Sequence, residues 1–217
     1  MNYSGVVTPG GPADVRDLDA ITVTKVSVGP MDNNAYLVEC RSTGDLVLVD
    51  AANDAPTLVA LLGGRPLARV ITTHRHRDHW VALEEVVTAT GARTAAGVDD
   101  VEGIPVATDE PLEDGDLVEV GEARLEVIHL VGHTPGSVAL LYDDPSGHPH
   151  LFTGDSLFPG GVGKTSGPEA FTSLLDDVQR KIFDRLPDDT WFYPGHGKDS
   201  TLGAERPSLP EWRARGW

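Results

Sequence analysis

Apolar and polar residues alternate over Ile21-Thr22-Val23-Thr24-Lys25-Val26-Ser27-Val28, the pattern of a strand with two different faces. Gly29-Pro30 turns the chain, and a second strand is expected over residues 35–40. Asp45-Leu46-Val47-Leu48-Val49-Asp50 is apolar at every interior position, as a strand buried on both faces must be. A helix is expected over residues 56–62, stopped by Gly63-Gly64. The apolar stretch 68–73 reads as another buried strand. A helix is then expected over 80–90, with Val81, Leu83, Val86 and Val87 loosely on one face and Gly91 as its stop. The next sixty residues are rich in strands. Residues 117–120 and 125–130 form a hairpin about Gly121-Glu122, and 138–142 pairs with 150–153 around Pro145-Ser146-Gly147. Helical spacing of Phe171, Leu174, Leu175, Val178 and Ile182 predicts a long helix over 168–185. A short strand over 190–193 is the last.

Two strand-rich halves, each with its own helices, predict an α+β fold in which two sheets pack face to face with helices outside. The 217 residues suffice for one domain with a full core. The expected boundaries are an irregular arm over 1–20, the domain over 21–200 and a tail over 201–217. The tail could fold back over a site through Arg206, Trp212, Arg213, Arg215 and Trp217, or dock as a plain terminus. The single cysteine, Cys40, excludes an intrachain disulfide and reads as a buried structural thiol in a strand. A net charge of −17 repels phosphate backbones, so nucleic acid is not an expected partner. No apolar run is long enough to span a bilayer, and no basic segment precedes an apolar one near residue 1. The expected setting is the cytoplasm, with a small-molecule substrate and no membrane partner. Monomer and homodimer are equally open.

Chemistry concentrates in His74-Arg75-His76-Arg77-Asp78-His79, directly after a buried strand. Neutral imidazole nitrogens and carboxylate oxygens are ligands for zinc and other first-row divalent metals. Four more residues of this kind follow apolar strands: Asp50, His133 in Gly132-His133-Thr134-Pro135-Gly136, Asp155 in Thr153-Gly154-Asp155, and His196 in Pro194-Gly195-His196-Gly197. Loops at strand ends are where a rigid scaffold holds functional groups. His129, His148 and His150 fall outside this pattern and read as structural or solvated.

In that order these five dispersed motifs resemble the metallo-β-lactamase fold hydrolases, over roughly residues 21–200. The resemblance implies a four-layer αββα sandwich with a binuclear metal site at one edge of the paired sheets. Carried over residue by residue, it implies that His74, His76 and His133 hold the first ion and Asp78, His79 and His196 the second, with Asp155 bridging. It implies that Asp50 orients the site from behind, and Asp78 could also take a proton. Zinc is the first expectation for the two divalent ions, with iron or manganese open. Such ions lower the pKa of bound water from about 15.7 towards roughly 7, so no serine or cysteine nucleophile is needed.

Thr153-Gly154-Asp155-Ser156-Leu157-Phe158, leading to Gly161-Val162-Gly163-Lys164, is similar to the glyoxalase II group, the hydroxyacylglutathione hydrolases. There the basic residue contacts the carboxylate of the thiol cofactor, which assigns substrate binding to Lys164. Ser166 stands where that group has tyrosine, Gly197-Lys198 replaces its Glu-Tyr, and its C-terminal helical domain is missing or reduced to the tail. Hydrolysis of a thioester or ester is therefore expected, with the carrier thiol open. Trp80 is the further candidate for the substrate wall, or else packs its helix. The rivals are a mononuclear iron persulfide dioxygenase using the equivalents of His74, His133 and Asp155, a lactonase, and a metal-binding protein without catalysis.

Overall fold

A computed structural model describes residues 3–216. The first sheet has seven strands in the order β1 (Asp14–Asp17), β2 (Ile21–Val28), β3 (Asn33–Cys40), β4 (Leu46–Val49), β5 (Arg69–Thr72), β6 (Arg93–Gly97) and β7 (Glu110–Leu112). Its first four strands are antiparallel neighbours, and from β4 onwards the pairs are parallel. The second sheet runs β8 (Leu117–Val120), β9 (Ala123–His129), β10 (Val138–Tyr142), β11 (His150–Gly154), β14 (Trp191–Pro194) and β15 (Ser200–Thr201). A small ribbon of β12 (Leu157–Phe158) and β13 (Gly161–Val162) follows β11.

Period-two alternation explains why both sheets are covered on both sides. On β4, Val47 and Val49 enter the layer between the sheets, while Leu46 and Leu48 face outward. Phe152 and Tyr193 join that central layer from the second sheet, and their neighbours Leu151 and Phe192 face the other way. The outward face of the first sheet is covered by α1 (Ala55–Leu61) and α2 (Leu83–Thr90). That of the second is covered by α3 (Pro168–Asp177) and, beyond α4 (Leu202–Glu205), by α5 (Leu209–Arg215). The result is four layers, helix–sheet–sheet–helix.

Several expected boundaries shift. The arm over 1–20 is not irregular throughout, because Asp14–Asp17 adds β1 to the edge of the first sheet. The helix expected over 80–90 begins only at Leu83, since a 3-10 turn at Arg77–His79 comes first and Ala82 N is tied to Ala51 O at 3.0 Å. The helix expected to 185 is α-helical only to Asp177. A wider π-helical turn, Val178–Phe183, then puts Ile182 and Phe183 side by side in the core. The tail is neither frayed nor folded over the strand-end loops. Residues 200–201 form β15, and α5 docks on the outer face with Trp212 only 2% exposed against Phe183. Trp217 lies outside the described residues.

Because α5 is stapled by one large buried ring, Trp212→Ala should cost about 3–5 kcal/mol. A fall in the urea midpoint at unchanged slope checks this; an unchanged midpoint would mean that the helix adds nothing to the folded domain.

Candidate metal centre

Each functional side chain leaves the end of a strand at the same rim of the sandwich. Asp50 ends β4, His74–His79 follow β5, His133 follows β9, Asp155 follows β11 and His196 follows β14. The structure brings all seven ligand-type residues of the sequence pattern together. Three overlapping groups have ligand atoms within 4.8 Å of one another: His74, His76 and His133; His74, His79 and Asp155; and Asp78, His79 and His196. Asp155 sits between the outer groups, with Oδ1 3.3 Å from His79 Nε2 and Oδ2 3.7 Å from His133 Nε2 and 3.4 Å from His196 Nε2.

Backbone and side-chain acceptors behind the rings decide which nitrogen faces inward. His133 Nδ1 donates to Lys164 O at 2.6 Å, and His196 Nδ1 to Met31 O at 2.9 Å. His79 Nδ1 donates to Asp50 Oδ2 at 2.8 Å. The Thr73 hydroxyl donates to Asp50 Oδ2 at 2.8 Å, so it accepts from His74 Nδ1 at 3.1 Å. Four rings therefore turn Nε2 towards the centre, and His76 offers Nδ1. The inward nitrogens crowd: His76 to His133 at 2.9 Å, His74 to His133 at 3.2 Å and His79 to His196 at 3.3 Å. Asp155 Oδ1 is buried without a hydrogen bond. Nitrogens and carboxylate oxygens converging this closely match the donor set of a divalent cation, which would displace the inward protons.

Asp50 holds this arrangement from below. It accepts Thr73 N at 2.7 Å as well as His79, and its own backbone is left-handed at φ 60°. Such a backbone is strained for a non-glycine residue and is held here by the bonds around it. Gly195 has no room for a side chain, since a Cβ would run into Asp155 Oδ1 and His79 Cε1.

Charge in the cluster is split. Burial holds the His74 imidazole well below its ordinary pKa, so it is neutral and ready to ligate. Burial also opposes charging His79, but Asp155 and Asp50 outweigh it and raise its pKa. Burial likewise opposes a charged His196, yet its bonds to Asp155 and Asp78 lift it to about 10. The same His196 bond, with Asn33, holds the Asp78 carboxyl far below the usual range.

The other candidates fall differently. A cavity of about 380 Å³ opens beside His76 and His133, and Ser166 lies on its wall. Lys164 and Trp80 do not line it. Lys164 is exposed and meets the centre through its backbone carbonyl. Trp80 packs against the outward core of the first sheet and donates from Nε1 to Arg75 O at 2.9 Å, so it braces the histidine loop and does not wall this cavity. His129, His148 and His150 stand outside the three groups.

Two supporting residues escape sequence reasoning. Asn33 Nδ2 donates to Asp78 Oδ2 at 2.9 Å and pairs its backbone with His196. Asp100, fully buried, accepts Arg75 N at 2.9 Å, Gly136 N at 2.9 Å and the Thr134 hydroxyl at 2.5 Å, clamping the His74–His76 loop to the His133 loop. Nothing in Val98-Asp99-Asp100 separates Asp100 from a solvated acid.

The Metallo-beta-lactamase superfamily model matches residues 28–196. The chain belongs to this superfamily. A hydroxyacylglutathione hydrolase from Cereibacter sphaeroides is 37% identical over 180 residues, covering 82% of this chain and 66% of its own length. Another, from Rhodospirillum rubrum, is 34% identical over 166 residues, 76% and 62% respectively. The chain thus spans about two thirds or less of the length of these curated relatives. Among solved structures, TTHA1623 in a di-iron-bound form superimposes with a TM-score of 0.71 at 32% identity, over 86% of this chain and 98% of that one. ETHE1 from Myxococcus xanthus gives 0.77 at 26% identity, over 88% and 84%. The superfamily's αββα architecture is the one observed.

Two outcomes follow for the protein. Asp50→Asn should weaken metal binding on the order of 10- to 100-fold while far-UV circular dichroism stays unchanged; unchanged affinity would remove Asp50 from the support of the site. The raised pKa of His196 stabilises the metal-free fold fully below the unfolded value near 6.5, and this contribution is lost as pH climbs through about 10. A cation must displace that proton, so zinc affinity measured by competition should rise with pH between 6.5 and 10. A pH-independent affinity would contradict it.

Proposed function

We propose that this chain is a metal-dependent hydrolase that cleaves a thioester or ester with water. The observation that carries the reading is the convergence of five imidazoles and two carboxylates at one rim, six of them in the two outer groups on either side of Asp155. In this assignment His74, His76 and His133 hold one divalent cation, Asp78, His79 and His196 hold a second, and Asp155 faces both. Zinc is favoured, and the same donors suit iron or manganese. Bound ions of this kind supply a nucleophile from water at neutral pH and polarise the acyl oxygen.

The chain's own residues do the remaining work. Asp50 keeps the protonated nitrogen of His79 turned away from the centre, and Met31 O and Lys164 O do the same for His196 and His133. Asn33 occupies Asp78 Oδ2, which orients that carboxylate for ligation and makes it a poor general base. The role as ligand is therefore preferred for Asp78. The cavity beside His133 admits the substrate, with Ser166 on its wall. Lys164 remains a candidate for the outer part of the carrier.

Similarity to hydroxyacylglutathione hydrolases supports thioester hydrolysis, while Ser166 and Gly197-Lys198 distinguish this chain from that group's pattern. The likeness to ETHE1 keeps a one-iron persulfide dioxygenase as the second reading, using His74, His133 and Asp155. Asp78, His79 and His196, grouped as a second ligand set, favour the hydrolase.

His76→Ala and Asp155→Ala should each lose bound metal and at least about 100-fold in turnover of a thioester panel, taking an ion's transition-state stabilisation as several kcal/mol. Full metal content and full rate in either variant would overturn the assignment. Oxygen uptake with a persulfide, in place of thioester cleavage, would replace it with the second reading.

A further inference from the structure

The cavity beside His76 and His133 differs in charge from most of this acidic surface. The chain carries 34 acidic residues against 17 Lys and Arg, yet no Asp or Glu lines this cavity. Two other surface cavities contain Glu126 with Asp143 or Asp114, and a third, at Arg65, has no acid on its wall but its arginine is paired with Glu39 at 2.6 Å. The one full charge on the wall here is the guanidinium of Arg75, and hydroxyls come from Ser166 and Ser173.

Arg75 is held in place without being used up. Its stem lies against Gly103, where a Cβ would come within 2.5 Å of Arg75 Cδ. Its Nε is 3.7 Å from Asp100 Oδ1, too far for a hydrogen bond. Both oxygens of Asp100 are already taken, Oδ1 by Gly136 N and Oδ2 by Arg75 N and Thr134. Among the described residues the Arg75 side chain makes no hydrogen bond, and it is 43% exposed. A nearby buried carboxylate thus anchors the guanidinium, while its donor fork stays free for a planar anion. Arg75 sits between His74 and His76 in the chain, so an anion held there lies close to the reacting centre.

We propose that this cavity seats a carboxylate of the substrate and that Arg75 is the residue that selects for it. The inference rests on the hydrolase reading in taking the metal centre as the reacting end. The carboxylate could belong to the acyl group or to the thiol carrier, and the chemistry of recognition is the same for both.

The test is binding to zinc-loaded protein by isothermal titration, with thioethers that cannot be hydrolysed. Two matched pairs are used, one with carboxylate or carboxamide on the acyl side, the other with them on the thiol side. Wild type should prefer the carboxylate in one pair by on the order of 10- to 100-fold, the worth of a charge-assisted bidentate contact, and that pair identifies the source. Arg75→Met should collapse the preference to about twofold or less, and Arg75→Lys should keep part of it. Metal content of each variant shows whether the centre is intact. If Arg75→Met loses metal, Arg75→Lys against wild type decides. Equal binding of acid and amide by wild type, or a preference that survives Arg75→Met, overturns the inference. A carboxylate preference through Arg75 in a protein that cleaves no thioester or ester defeats the hydrolase reading and leaves this one standing; turnover without the preference does the reverse.

Discussion

The rest of the structure is organised around one crowded arrangement, a set of imidazole nitrogens and carboxylate oxygens turned towards each other at about 3 Å. Polar groups buried without partners cost free energy. The fold must therefore hold this cluster open until a cation satisfies it. It does so with rigid strand ends on both sheets and with acceptors that leave each ring one orientation. Asp50, Thr73, Asn33 and Asp100 bridge loops that are distant in sequence, so no single loop can relax the crowding alone.

The loop that carries His196 shows how far this support extends. Lys25 on β2 faces the central layer, and its ammonium donates to Asp199 at 2.6 Å, Gly197 O at 2.7 Å and Gly5 O at 2.8 Å. Asp199 also accepts the Tyr3 hydroxyl at 2.6 Å and Trp191 Nε1 at 3.0 Å. Burial pushes Lys25 down and Asp199 up, against the attraction of the pair. An ion pair this buried persists because every donor has an acceptor, and its use here is to fix one path for the chain. That path runs from the N-terminal arm to the residues just after His196.

Much of this was legible in the sequence, for physical reasons. Alternation over Ile21–Thr24 and the all-apolar run Leu46–Val49 follow from burying one face or both, and they place two layers of core. The ligand residues were legible because each follows an apolar strand. What escaped was tertiary. Val15 is exposed in an edge strand, and β1 forms only because β2 offers it a ladder. Trp212 looks like a tail residue until the outer face of the second sheet is there to bury it. Asp100 and Asn33 have ordinary neighbours and gain their roles from what the fold brings beside them. Lys25 did leave a signal, a cation on the buried face of an alternating strand, but its partner lies 174 residues away.

The central claim is that the crowded rim is a binuclear metal centre. Elemental analysis of gently purified protein, with protein concentration from amino-acid analysis, tests it most directly. The account predicts about two divalent ions per chain, one for each outer ligand group around Asp155. A single iron per chain, with no second ion taken up on titration, would contradict it and point to the mononuclear oxygen-using reading.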